Sequence, residues 1–139
     1  MTIVIDASVT LPWYFQDEAT ASSEALLDKV VASGAVVPAH WKLEIANAFR
    51  TALRKGRIDR DYRDLSLQDL SELVILVDDE TVLHAWEATL TLADKHSLAP
   101  YDAAYLELAL RRNLPLATLD KALQAAAATE GVEVLSRVL

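Results

Sequence analysis

The 139-residue sequence contains no cysteine. This excludes disulfides, thiolate metal sites and a catalytic thiol. Glycine and proline are scarce, with three and four residues respectively, and no glycines follow the first predicted strand as a nucleotide-binding loop would require. Long apolar runs are also missing. The best candidate, Leu73 to Val77, is far shorter than the roughly 20 residues that span a membrane, so we interpret it as a buried strand.

Basic residues are in the minority. Thirteen Lys and Arg face 21 Asp and Glu, for a formal net charge of −8, whereas nucleic-acid binding draws on Lys and Arg contacts with phosphates. Six of the basic residues nevertheless fall in one short stretch: Arg50, Arg54, Lys55, Arg57, Arg60 and Arg63. Two interpretations of this stretch stay open. It is either a solvated helical hairpin balanced by nearby acids or a rim that contacts RNA.

The apolar content is that of a folded protein. Hydrophobic residues make up 53% of the chain, and a chain of this length is enough for one domain, which we assign to residues 1–139. The apolar run Ile3 to Ile5 stops at Asp6 and has no basic region before it. We therefore expect no secretory signal and a cytoplasmic protein.

Short apolar runs alternate with longer stretches of helical periodicity. The predicted strands are residues 2–5, 35–37, 74–77, 115–118 and 132–135. The predicted helices are residues 18–33, 40–55, 59–72, 80–96, 100–113 and 120–128. Gly34 is expected to end the first of these helices and Asp59 to cap the third. This alternation predicts an α/β fold with a five-stranded, mostly parallel sheet and helices on both faces.

Acidic residues follow two of the predicted strands. Asp6 ends the first strand, and Asp120 lies two residues beyond Thr118. Asp102 comes just after Pro100, in the first turn of a predicted helix. Each of these acids could also be a simple strand-end or helix cap. Ligands of open α/β sheets, however, bind at the carboxyl ends of the strands, so we expect the three carboxylates to share one site.

Glu44 is a fourth candidate. It lies on a predicted helix between the apolar Leu43 and Ile45, and no Lys or Arg at three- or four-residue spacing offers it a partner toward the core. A surface position would also explain it. Together the four acids would form a cluster of hard oxygen ligands that suits Mg²⁺ or Mn²⁺. Such ions promote phosphodiester hydrolysis.

Four motifs carry a family resemblance. They are Asp6-Ala7-Ser8, Glu44-x-x-Asn47, Tyr101-Asp102-Ala103-Ala104-Tyr105 and Leu116-Ala117-Thr118-Leu119-Asp120. In order and spacing they resemble the PIN domain, and in particular the VapC-like toxins of type II toxin–antitoxin pairs. The resemblance covers essentially the whole chain. The motifs around Asp102 and Asp120 are its specific part.

The resemblance implies a Rossmann-like fold and a metal-dependent endoribonuclease. It implies that Asp6, Glu44, Asp102 and Asp120 form the acidic site, with Mg²⁺ or Mn²⁺ as cofactor. Asp6, Asp102 and Asp120 would hold the metal, and Glu44 would complete the ligand shell or orient the attacking water. Supporting hydrogen bonds are expected from the residues Asn47, Thr118 and Ser8. The resemblance also implies a homodimer and inhibition by a cognate antitoxin.

Two alternatives remain open. One is a protein-binding module whose acidic cleft takes up a basic peptide without catalysis. The other is a PIN-domain nuclease of RNA processing that has no antitoxin. The three histidines, His40, His84 and His96, show no helical spacing typical of a zinc site, and we interpret them as structural or exposed.

Overall fold

A computed structural model describes residues 2–135. Its centre is a parallel sheet of four strands in the order β3-β2-β1-β4. The strands are β1 (Ile3–Ile5), β2 (Ala35–Val37), β3 (Ile75–Val77) and β4 (Leu116–Ala117). In the register of the two central pairs, Ile3 lies opposite Ala35 and Val4 opposite Leu116. The predicted α/β class is confirmed.

Helices flank the sheet and account for most of the described chain. The α-helices are α1 (Ala7–Thr10), α2 (Ala21–Ser33), α3 (Trp41–Arg54), α4 (Arg60–Ser71), α5 (Leu90–His96), α6 (Pro100–Arg112) and α7 (Lys121–Thr129). Two short 3₁₀ turns follow α1 at Leu11–Trp13 and Gln16–Glu18. No helix within residues 2–135 combines the length and the apolar character needed to cross a membrane.

Both predicted helix boundaries are confirmed. Gly34 ends α2 with a φ of 77°, and a β-carbon at this position would lie 3.1 Å from the carbonyl oxygen of Val74. Glycine is therefore favoured both by the backbone conformation and by the close approach of the chain before β3. The Asp59 side chain accepts a hydrogen bond from the Tyr62 amide at 2.8 Å and caps α4.

Three predictions about elements need correction. The fifth strand is reduced to a single bridge between Leu116 and Val134, because the chain after Gly131 meets β4 over too short a length to form a ladder. The strand near residue 75 is not buried, since it forms an edge of the sheet and leaves Leu76 56% exposed. The helix predicted over residues 80–96 is divided into a π-helix, Ala85–Thr89, and α5.

The core lies between the central strands and the helices that cover them. Val4 and Ile5 of β1 are fully buried, as are Phe49 of α3 and Leu106 of α6. The strand β1 is buried on both faces, and α3 turns one apolar stripe toward the sheet, whereas α6 is buried on all sides over residues 103–109. The core thereby holds the ends of β1 and β4 beside the first turns of α3 and α6.

A buried ion-pair cluster joins the end of β3 to α6. Asp78 directly follows β3 and accepts hydrogen bonds from Arg111 at 2.7 Å and Arg112 at 3.0 Å. Arg111 also pairs with the buried Glu107 at 2.7 Å. Although burial alone would raise it, these hydrogen bonds and one from Thr81 hold the pKa of Asp78 well below its usual range. The cluster therefore fixes the edge of the sheet to the helix that carries Asp102.

Candidate active site

The four predicted acids come from four different elements. Asp6 directly follows β1 and caps α1, and Asp120 caps α7 just beyond β4. Glu44 lies in the first turn of α3 and Asp102 in the first turn of α6. Because the sheet is parallel, the ends of β1 and β4 meet at one edge, where these helix starts also lie.

Asp6 is the most enclosed of the four. The residue is 7% exposed, and its side chain accepts hydrogen bonds from the Ser8 hydroxyl at 2.6 Å, the Thr118 hydroxyl and the Val9 amide at 3.3 Å. In the described part of the chain, no basic side chain pairs with it. Burial raises its pKa to about 6 despite these three donors, and the charge of Glu44 adds to the effect.

Ser8 and Thr118 do more than donate to Asp6. The Ser8 oxygen accepts from the Leu119 amide at 2.8 Å, and the Thr118 hydroxyl oxygen accepts from the Asp120 amide at 3.1 Å. The loop that carries Asp120 is thus joined to Asp6 through two hydroxyl groups. Both residues have the contacts expected of supporting groups.

Asp102 is in electrostatic range of the other acids. Its pKa is raised, first by burial and then by the negative charges of Asp120 and Glu44. Asp102 and Asp6 are therefore both coupled to Glu44, which joins all four carboxylates into one set. Carboxylates held close together in this way favour either protonation of one of them or the binding of a cation between them.

Two aromatic side chains hold Glu44, and sequence reasoning missed both. The Tyr105 hydroxyl donates a short hydrogen bond to Glu44 Oε1, and His40 Nε2 lies 3.4 Å from the same oxygen. His40 Nε2 is also 2.9 Å from the carbonyl oxygen of Tyr101. A carbonyl can only accept, so this nitrogen carries the proton and links α3 to the start of α6.

A signal for His40 was available. It precedes Glu44 by four residues, and such a pair shares one face of a helix. Histidine at this spacing can donate a hydrogen bond to Glu44, as Lys or Arg would. Tyr105 lay within the recognised motif around Asp102, but its contact with Glu44 spans 61 positions and depends on the packing of α3 against α6.

Asn47 does not join the network in the structure. It lies on α3, one turn after Glu44, and its side chain is exposed. Among the hydrogen bonds of residues 2–135, none connects Asn47 to the four acids. Its expected supporting role is therefore not visible in these contacts.

The donor set suits a hard divalent cation in chemistry and charge. All four groups offer oxygen, which Mg²⁺ and Mn²⁺ prefer. The pKa values of Asp6 and Asp102 are raised first by burial and then by neighbouring carboxylates, and a bound cation would offset both effects. Within residues 2–135, however, no three His, Asp or Glu side chains are already arranged as a ligand set. Binding a cation would require carboxylates to turn toward one another.

Comparisons with known proteins agree with this architecture. The family model of the PIN domain matches residues 3–129. The chain belongs to the PIN domain family. It is 28% identical over 123 residues to a curated relative named Ribonuclease VapC3 from Pyrobaculum aerophilum, covering 88% of this chain and 92% of the relative. The sequence-based resemblance to the family is therefore confirmed.

Solved structures share the fold of this PIN domain. The crystal structure of PAE2754 from Pyrobaculum aerophilum matches with a TM-score of 0.70 and 23% identity, over 99% of this chain and 92% of the other. The crystal structure of FitAcB from Neisseria gonorrhoeae gives a TM-score of 0.63 and 19% identity, with 96% of each chain covered. The acidic site of this PIN domain thus lies in a fold that recurs at low sequence identity.

Proposed function

We propose that this PIN domain, over residues 1–139, is a cytoplasmic endoribonuclease that hydrolyses RNA phosphodiester bonds with the help of Mg²⁺ or Mn²⁺. The observation that carries the proposal is the electrostatic coupling of Asp6, Glu44, Asp102 and Asp120, four carboxylates that form no ion pair with Lys or Arg within residues 2–135. The curated relative named Ribonuclease VapC3 supports RNA as the substrate.

We assign each residue a role from its position in the site. Asp6, Asp102 and Asp120 would hold the metal, and Ser8 and Thr118 would orient Asp6 through their hydrogen bonds. A divalent cation bound here would stabilise negative charge that develops on the phosphate during hydrolysis. Glu44, held by Tyr105 and His40, would orient the attacking water or complete the ligand shell.

We further propose that the protein is the toxin of a toxin–antitoxin pair and acts as a homodimer. The resemblance to VapC-like toxins supports the antitoxin, whose basic groups could neutralise the acidic cleft.

An exposed apolar surface supports the homodimer: Val82, Leu83, Trp86, Leu90 and Tyr101. Trp86 alone is 90% exposed, and exposed apolar groups of this kind mark protein interfaces. A change from dimer to monomer on Trp86→Glu, measured by light scattering, tests this surface.

The nuclease is tested with a single-stranded RNA that carries a fluorophore and a quencher. We expect cleavage in Mn²⁺ or Mg²⁺, none in EDTA, and none with Asp102→Asn. Asp28→Asn is the matched control, because Asp28 is an exposed acid on α2. Folded protein that binds Mn²⁺ but cleaves no RNA would contradict the proposal and favour the non-catalytic acidic module. Cleavage by Asp102→Asn equal to wild type would contradict the site assignment.

A further inference from the structure

The structure separates the six basic residues between positions 50 and 63 into two groups. Arg57 is neutralised, since it pairs with Asp17 and Glu18 at 3.1 Å each, and Arg63 pairs with Asp64 at 3.0 Å. Within residues 2–135 the others form no ion pair: Arg50, Arg54, Lys55 and Arg60. These four cations are therefore available to a ligand.

Two of the available cations lie on the helix that carries Glu44. Arg50 and Arg54 are exposed and four residues apart, so they share one face of α3. The buried face of the helix, formed by Trp41, Ile45 and Phe49, points elsewhere. At 1.5 Å of rise per residue, the two arginines lie about 9 Å and about 15 Å along the axis from Glu44. They therefore form a line that leads away from the acidic site.

Asn47 falls at the start of this line. It is exposed, and it lies between Glu44 and Arg50 along the solvent-facing side of α3. Its amide can donate hydrogen bonds to a phosphate oxygen, although it reaches none of the four acids. Its position is better explained by a ligand that passes over α3 than by support of the carboxylates.

The charges elsewhere make this line distinctive. Between Arg63 and Lys95 the sequence has no Lys or Arg and eight Asp or Glu, of which only Asp64 and Asp78 pair with an arginine within residues 2–135. A polyanion approaching the acidic site would be repelled by that segment and attracted by the exposed arginines of α3. Arginine also binds phosphate through paired hydrogen bonds, which a single ammonium cannot match.

We propose that Asn47, Arg50 and Arg54 form a phosphate-binding track that holds the RNA strand next to the bond to be cleaved. This inference rests on the proposed ribonuclease function for the identity of the strand. It explains how a protein of net charge −8 can bind RNA: the favourable contacts are concentrated on one exposed face of α3, which begins next to Glu44. The two interpretations of the basic stretch then apply to different residues. Arg57 and Arg63 are balanced by nearby acids, whereas Arg50 and Arg54 contact RNA.

The test measures RNA binding without cleavage. The full-length protein is titrated in EDTA with a fluorescein-labelled single-stranded RNA, and fluorescence anisotropy is recorded at several salt concentrations. Arg50→Gln and Arg54→Gln should each weaken binding and make the negative slope of log K against log salt shallower by about 0.7, the value for one phosphate contact on a single strand. Both positions are exposed and glutamine suits a helix, so the variants should fold, which circular dichroism checks.

The matched control is Lys29→Gln, which removes one positive charge from the exposed side of α2. Its slope should equal that of the wild type. Arginine variants that behave like Lys29→Gln would overturn the track and leave an acidic protein segment as the remaining candidate ligand. This outcome is separate from the nuclease test. RNA that binds through the arginines but is never cleaved would contradict the nuclease alone, whereas cleavage with unchanged binding would contradict the track alone.

Discussion

Asp6 and Asp78 have the same local sequence context and opposite environments. Each directly follows an apolar strand, β1 or β3, and each is buried, with 7% and 1% of the residue exposed. Asp78 meets two arginines and its pKa is lowered, whereas Asp6 meets hydroxyl groups and another carboxylate and its pKa is raised to about 6. A buried aspartate at the end of a strand therefore has an ionised form that burial destabilises. The partner decides whether the residue is structural or available for chemistry.

The largest effect should come from breaking the structural member of the pair. Asp78→Asn would leave Arg112 without a carboxylate and Arg111 with Glu107 alone, in a partly buried setting. We expect a loss of about 3–5 kcal/mol in the free energy of unfolding, as for other buried pairs that lose one partner. Urea denaturation of the metal-free protein measures it. Asp28→Asn should be nearly neutral, and an equally small loss for Asp78→Asn would show that the cluster contributes little.

The second prediction concerns pH and Asp6. Its pKa rises from 3.8 unfolded to about 6 folded, so between these values the folded state binds more protons than the unfolded state. Stability is therefore highest below pH 4 for this group and decreases as pH rises toward 7, by up to about 3 kcal/mol. Asp78 has the opposite sign, because its lowered pKa makes stability fall as the pH drops below about 4.

The pH prediction is measured as a difference. Unfolding free energies of the metal-free wild type and of Asp6→Asn are compared from pH 4 to pH 7, which removes the contribution of the other acids. We expect the difference to change in favour of Asp6→Asn as pH rises. A constant difference would mean that Asp6 is already ionised throughout this range.

The third prediction is a metal-dependent gain in stability. If the four acids hold Mn²⁺ only when folded, an ion concentration of about 100 times the dissociation constant should stabilise the protein by about 2.7 kcal/mol. Thermal unfolding with and without EDTA measures the gain. Asp6→Asn should lose most of it, and Asp78→Asn should keep it despite a lower starting Tm. Equal gains in both variants would contradict the distinction between the two aspartates.

The smallest expected effect belongs to His40. His40→Leu removes the hydrogen bond to the Tyr101 carbonyl and the contact with Glu44. We expect Mn²⁺ affinity to fall about tenfold, the usual consequence of losing a group that orients ligands. His40→Gln keeps a donor and should recover most of the affinity. Calorimetric titration distinguishes the two, and equal losses would argue that the ring itself, through its packing on Tyr105, is what matters.

Sequence patterns predicted much of the fold. The α/β class, the first two strands and the boundaries at Gly34 and Asp59 were correct, because they follow from local apolar runs and cap chemistry. The exposure of β3 and the loss of the fifth strand were not predictable in the same way. An apolar run reads alike at the centre and at the edge of a sheet, and strand order depends on contacts between distant segments.

For the candidate site, the features that depend on nearby residues in the sequence were again the predictable ones. The four acids were selected by their places after strands or in first helical turns, and the structure couples them electrostatically, while their catalytic roles stay a prediction. His40 and Tyr105 escaped notice, as did Asp78, although Asp78 has the same strand-end signature as Asp6. The supporting role of Asn47 also stays a prediction, and its side chain is exposed in the structure.

By itself the sequence determined the helix boundaries at Gly34 and Asp59, which acids follow apolar runs, and that no thiol chemistry is possible. Those properties depend on neighbours within a few residues of one another. Only the tertiary structure decided which buried aspartate meets an arginine, which aromatic side chains hold Glu44, and which cations remain unpaired. The reason is electrostatic: the free energy of a buried charge depends on the groups within a few ångströms of it, and folding brings those groups from distant parts of the chain.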